Sequence, residues 1–234
     1  MPNKVSIFDV DGTLARGFYI VKFADALAEQ GRFQPKDARA IKEMLGEYGR
    51  SSGYDYGRFT WDVIMAFGKG IRGNRQAEIE GAGQRYIDGH PEDKFPFADG
   101  LIALVNERGY PTVVISGSPG EIIRPFARSM GMGQAFTTEY ETENGVFTGE
   151  VAINGAIDST KRDVVARYIK DHDVDASASA GFGDSHHDLA FLNAVGYPVA
   201  LNPNEALAAI ARSSGWLACA DGDDVLDAVG SYLP

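Results

Sequence analysis

Near the start of the chain, in "VSIFDVDGTLARG", stand two aspartates one residue apart, Asp9 and Asp11. The short apolar lead-in reads as a buried strand. Alternate residues of a strand point to the same side, so the two carboxylates come together where the strand leaves the core. Like charges that close repel unless a cation or a shared proton intervenes, so the pairing marks a place where charge is put to use.

Groups of the same kind follow the later strands. After "PTVVI" come Ser116, Gly117 and Ser118; after "SASAGF" come Gly183, Asp184 and, a turn later, Asp188. Lys161 opens the helix behind a hairpin. In a parallel sheet these strand ends gather at one edge. The result is a pocket with several carboxylates, a hydroxyl, an ammonium and glycine amides. Oxygen-only donors suit Mg²⁺ better than zinc. Ser116, the amides near Gly117 and Lys161 suit a phosphate group. Phosphoryl transfer needs chiefly positioning and charge neutralisation, which such a set supplies.

The elements that must hold these residues are legible in the hydrophobic rhythm. Residues 17–95 read as a block of four helices, from "IVKFADALAEQG" to "NRQAEIEGAGQRYIDGH", closed by the linker "HPEDKFPFADG". Beyond it, short strands alternate with helices, and Asn144-Gly145 between two β-rich runs marks a tight hairpin. Alternation of this kind predicts an α/β fold: a mostly parallel, Rossmann-like sheet with helices on both faces. The expected division is a core of residues 1–16 plus 96–234 and a helical cap of residues 17–95.

"DVDGT", "VVISGS", Lys161 and "GFGDSHHDLAFL", in this order and spacing, resemble the four motifs of the haloacid dehalogenase superfamily. The helical block between the first two motifs resembles that superfamily's inserted cap. "VISGSP", "NGVFTGEV" and "KRDVVARYI" are similar to its phosphoserine-phosphatase-like branch (subfamily IB). The resemblance implies a Mg²⁺-dependent phosphatase for a small phosphomonoester, working through an aspartyl-phosphate. Asp9 would be the nucleophile and Asp11 the acid and base. Mg²⁺ would be held by Asp9, the Asp11 carbonyl and Asp184, while Asp188 would orient that shell or pair with Lys161. Ser116, Gly117 and Lys161 would grip the phosphoryl oxygens. Asp11 favours phosphate chemistry over dehalogenation, because a halide leaves without protonation. Two alternatives stand beside hydrolysis: transfer from the same phosphoenzyme to another hydroxyl, as in a mutase, and a phospho-accepting module without turnover. Phosphoserine phosphatases carry a glutamate nine residues after the nucleophile; here that residue is Phe18, which disfavours phosphoserine without excluding it.

The chain has 234 residues, a net charge of −11 and one cysteine, Cys219. The acidic balance argues against a nucleic-acid partner, and no apolar run is long enough to span a membrane. A lone cysteine and a strand close to the N-terminus lead to the expectation of a cytoplasmic protein. Of the 22 basic and 33 acidic residues, 13 and 12 fall between positions 15 and 95, a balance of +1 there against −12 elsewhere. Either these are ordinary solvated helix faces, or Arg16, Arg50, Arg58, Lys69 and Arg72 receive a second anionic group on the substrate. The aromatic run "YDYGRFTW" is expected to be cap core rather than substrate wall, and His186 and His187 to be loop or helix-start residues.

Overall fold

A computed structural model describes residues 3–50 and 56–234; the side chains at positions 49, 50 and 56 are not among those described. The first strand, β1 (Ser6–Phe8), is followed by four helices: α1 (Tyr19–Glu29), α2 (Pro35–Arg50), α3 (Tyr56–Ile71) and α4 (Gln76–Gly89). The chain then runs through α5 (Ala98–Glu107), β2 (Thr112–Pro119), α6 (Gly120–Ser129) and the hairpin β3 (Gln134–Glu143) and β4 (Val146–Ile153). It closes with α7 (Asp158–Asp171), β5 (Ala180–Gly183), α8 (Leu189–Leu192), β6 (Tyr197–Leu201), α9 (Glu205–Ser214), β7 (Leu217–Cys219) and α10 (Val225–Tyr232).

The seven strands form one sheet in the order β4-β3-β2-β1-β5-β6-β7. Neighbours are parallel throughout except for the β3–β4 hairpin, whose turn residues Asn144 and Gly145 both have positive φ. The expected α/β architecture is therefore the observed one. Side chains alternate across the sheet as strand geometry requires. Phe8, Val114 and Phe182 pack on one face with Leu101, Ile122 and Val225 from α5, α6 and α10. Val5, Ile7 and Val113 pack on the other with Val165, Phe191 and Leu207 from α7, α8 and α9. Phe8 and Phe182, on adjacent strands, stack at 4.3 Å and 4°.

The strand order has a switch point. From β1 the chain adds β2 and β3 on one side and β5, β6 and β7 on the other, which leaves a crevice beyond the carboxyl end of β1. The four helices of residues 19–89 are continuous with the core on the first face: Phe23, Phe67 and Ile79 belong to the same apolar cluster as Phe8. Helix α4 packs closely on α6. Pro125, inside α6, has no N–H to offer the carbonyl of Glu121. That carbonyl faces Gly83 of α4, where a Cβ would lie 2.0 Å from its oxygen. Glycine is thus what lets the two helices approach. Gly83→Ala should push them apart and lower stability by about 1–3 kcal/mol, to be read from the urea midpoint at unchanged slope.

Candidate functional site

At the switch point the strand ends deliver the predicted residues to one place. Asp9 follows β1 directly, and its amide donates to the Phe182 carbonyl of β5 at 3.0 Å. The chain then turns through Gly12, whose φ is +91°. A Cβ there would sit 2.3 Å from Asp184 Oδ2, so the turn lies directly against that carboxylate and only glycine fits. Across the sheet, Asp184 and Asp188 follow β5. Asp188 forms a capping box with Ser185. Its Oδ2 accepts from the amides of Asp184 and Ser185, both at 3.1 Å.

Lys161, in the first turn of α7, is 4 % exposed and reaches between the two motifs. Its Nζ lies 2.8 Å from Asp188 Oδ1 and 3.3 Å from Asp9 Oδ1. Asp188 is thus satisfied on both oxygens. Carboxylate oxygens of Asp9, Asp184 and Asp188 all lie within 4.8 Å of one another.

Asp11 faces elsewhere. Its Oδ1 accepts from the Tyr19 amide at 2.7 Å, and its Oδ2 from the Ser118 hydroxyl at 2.6 Å. Helix α1 has no cap from its own N-cap residue, Phe18. Asp11 and Ser118 cap it instead, since Ser118 Oγ also accepts from the Ile20 amide at 3.3 Å. The two aspartates that share a strand end therefore occupy different surroundings, one beside an ammonium and the other at a helix N-terminus.

Burial pushes up the carboxyl pKa values of Asp9, Asp11 and Asp184. Asp9 is raised well above the usual range by burial, against the pull of Lys161. Asp11 is raised by burial, with Ser118 and the Tyr19 amide working against it. Asp184 is pushed up to about 8, by burial first and then by the neighbouring Asp188. One lysine does not offset this set of carboxylates. The all-oxygen donors of Asp9 and Asp184, crowded and incompletely neutralised, fit a hard divalent cation.

The cavity here has a volume of about 310 Å³. Asp9, Asp11, Gly117, Lys161, Asp184 and Asp188 line it. Ser116 does not: it is fully buried, and its hydroxyl accepts from the Ser118 amide at 3.1 Å and lies 3.5 Å from Asp11 Oδ2. Ser118 and Asn204 also line the cavity, Ser118 without a role assigned from its place at a strand end and Asn204 without any signal in the sequence. The only hint of Ser118 was its place after Gly117 at a strand end. His186 and His187 lie in a 3₁₀ turn, as expected, but His187 also borders the cavity, with Nδ1 3.2 Å from Asp158. Phe59 and Thr60 of "YDYGRFTW" line the cavity, so that run is wall as well as core; its Tyr54 and Asp55 lie outside the described residues.

Of the five basic residues named from the charge count, the four whose side chains are described do not line the cavity. Arg16 pairs with Asp221 at 2.9 Å, Arg58 faces Asp62 at 3.7 Å, and Lys69 and Arg72 border a separate depression with Glu150. The Arg50 side chain lies outside the described residues.

Residues 7–193 match the family model of the haloacid dehalogenase-like hydrolases. The chain belongs to that family. A phosphoserine phosphatase of Mycobacterium tuberculosis is 29% identical over 220 residues, covering 90% of this chain and 68% of the relative. A probable phosphatase of the same organism is 33% identical over 122 residues, 52% of this chain and 42% of the relative. Among solved structures, a Bordetella pertussis protein of unknown function superposes with a TM-score of 0.77 at 21% identity, covering 93% and 98% of the two chains. A phospho-aspartyl intermediate analogue of phosphoserine phosphatase gives 0.69 at 18% identity, covering both chains fully. The chain is thus a hydrolase of the phosphatase kind, on the phosphoserine-phosphatase-like branch. No helix among the described residues is long and apolar enough to cross a membrane.

The raised Asp184 has a measurable consequence. A carboxyl with a higher pKa folded than unfolded binds more protons in the folded state between the two values. Stability should therefore fall as pH rises from about 4 to about 8. A cation bound by the ionised carboxylates opposes that loss. Thermal midpoints in chelator should drop across this window, and excess Mg²⁺ should raise the midpoint more at the alkaline end than at the acid end.

Proposed function

We propose that the protein hydrolyses a small phosphomonoester through an aspartyl-phosphate on Asp9. The observation that carries this reading is the split environment of the two aspartates in one cavity: Asp9 beside Lys161, Asp11 between Ser118 and the start of α1. Two carboxylates in different surroundings can take different roles.

Asp9 Oδ attacks phosphorus and displaces the alkoxide, to which protonated Asp11 gives its proton. A water then attacks phosphorus with Asp11 accepting a proton, and the bond to Asp9 breaks, releasing phosphate and the free carboxylate. The burial that raises Asp11 keeps its proton available for the first step. Lys161 is placed to hold a phosphoryl oxygen while it keeps Asp9 oriented. The Gly117 amide is the second candidate donor. Ser116 is better suited to hold the loop through the Ser118 amide than to touch the phosphate, since it does not line the cavity.

Asp9, the Asp11 carbonyl and Asp184 are our candidates for holding Mg²⁺. The ion would supply charge neutralisation between nucleophile and phosphate. Asp188, occupied by Lys161 and two amides, acts as a brace. Residues 17–95 serve in this reading as a cap, a role supported by cavity-lining residues in α1, α2 and α3. The free thiol of Cys219 is in keeping with the cytoplasm.

Phosphate release from a panel of small esters tests the reading. It should require Mg²⁺, stop in chelator and vanish in Asp9→Asn. Release into an added acceptor alcohol in place of water would establish phosphotransfer, and a long-lived phosphoenzyme without release would establish a storage role. Ser118→Ala probes Asp11 separately. Loss of that donor should raise the Asp11 pKa and move the alkaline limb of the kcat profile up by about one pH unit.

A further inference from the structure

The cavity has two chemically different ends. Its floor, at the strand ends, carries all the charged groups among the described lining residues: Asp9, Asp11, Lys161, Asp184 and Asp188. Another part of the wall comes from the helical block and is built of Phe18, Ile20, Tyr48, Phe59, Val63 and Ile64. Phe59 and Val63 are four residues apart on α3, as are Thr60 and Ile64, so one face of that helix supplies much of the wall. Phe59 is itself held: Tyr48 stacks on it at 4.6 Å and 10°, and Phe18 meets it edge-on at 6.4 Å and 76°. The described polar groups of this wall, the Tyr48 hydroxyl and Thr60, are uncharged.

A leaving group bearing an ammonium or carboxylate would lose its water against this wall without finding an opposite charge there among the described residues, which is unfavourable. An apolar group gains by the same desolvation. The cavity volume of about 310 Å³ is at the small end of the range for ligand sites, enough for a phosphate and one ring-sized substituent.

We propose that the wall formed by Phe18, Tyr48, Phe59, Val63 and Ile64 is a subsite for an apolar, ring-sized group on the alcohol side of the phosphate ester. The assignment of that group as a leaving group rests on the phosphomonoesterase reading above. The substrate class is then an uncharged aryl-alkyl or branched alkyl phosphate, and the amino-acid phosphates are poor substrates. Phe18 is the specificity residue of this subsite. It immediately precedes Tyr19, whose amide donates to Asp11, and both Phe18 and Asp11 line the cavity.

Binding and turnover test this separately. With Mg²⁺ present, calorimetry on the unmodified protein compares three phosphonates that cannot be hydrolysed: 2-phenylethyl, ethyl and 2-aminoethyl. The phenyl-bearing one should bind about tenfold more tightly than ethyl, a modest return for one buried ring. Equal affinities, or tightest binding of the aminoethyl compound, would overturn the subsite. In turnover, 2-phenylethyl phosphate, ethyl phosphate and phosphoserine all release primary alcohols, so kcat/KM compares the subsite with little contribution from leaving-group basicity. The phenyl-to-ethyl ratio should be about ten, should collapse in Phe18→Ala and should be largely kept in Phe18→Leu. A ratio that survives Phe18→Ala unchanged would remove Phe18 from the proposal. Tight phenyl binding with no ester turned over would overturn the hydrolytic reading and uphold the subsite; turnover of all three without preference would do the reverse.

Discussion

Four carboxylates around one buried ammonium set the terms for the rest of this molecule. Asp9, Asp188 and Lys161 are each 5 % exposed or less, and Asp184 and Asp11 crowd the same space. Charges so far from water are tolerable only when each meets a partner in good geometry. Lys161 provides that partner twice, and the amides after β5 provide it for Asp188. The sheet order follows from the same need. Strand β1 must lie beside β5 for Asp9 to meet Asp188, and α7 must pack on the sheet face of Val5, Ile7 and Val113 for Lys161 to reach both. Asp9 and Asp184 are left crowded and less fully partnered, which is why they are our candidates for holding a divalent cation.

Asp11 ties the helical block to this cluster. A helix begins with unpaired amides, and α1 has no side chain of its own N-cap to meet them. Asp11 and Ser118 accept from Tyr19 and Ile20 instead. The start of α1 is thereby fixed to the loop after β1 and to the end of β2 at once. A helix dipole favours the ionised form of Asp11, while burial favours the neutral form. Burial wins, because the raised pKa persists despite both hydrogen bonds. A carboxyl poised by two opposed effects can lose and regain a proton without large rearrangement.

The sequence made the strand ends readable because the signals there are local. Val5 and Ile7 face one way and Phe8 the other, and the residues after each strand have to meet at one edge once the sheet is parallel. The hairpin at Asn144-Gly145 was equally plain, since positive φ at both positions is a local demand. What sequence could not show depends on distant partners. Ser116 and Ser118 look alike in "ISGSP"; only the position of α1, 98 residues away along the chain, directs the Ser118 hydroxyl to Asp11 and the Ile20 amide. The charge count over residues 15–95 could not tell solvated cations from ligand-facing ones for a related reason. It tallies cations without their counter-ions, and Asp221, which holds Arg16, lies 205 residues further on.

The same geometry bears on the role we propose for residue 18. Because Asp11 caps α1, the first turn of that helix cannot lie far from the acid, whatever its side chains are. The backbone contact from Asp11 to the Tyr19 amide is made by a main-chain N–H that any residue but proline supplies. That contact is therefore indifferent to the side chain at position 18, which lines the cavity. A charged side chain there would offer a substrate ion a partner; Phe18 offers a ring, backed by Phe59 and Tyr48. In the proposed reading, the acid at the strand end and the ring at position 18 are thus joined through two main-chain hydrogen bonds, from the Tyr19 amide to Asp11 and from the Ile20 amide to Ser118.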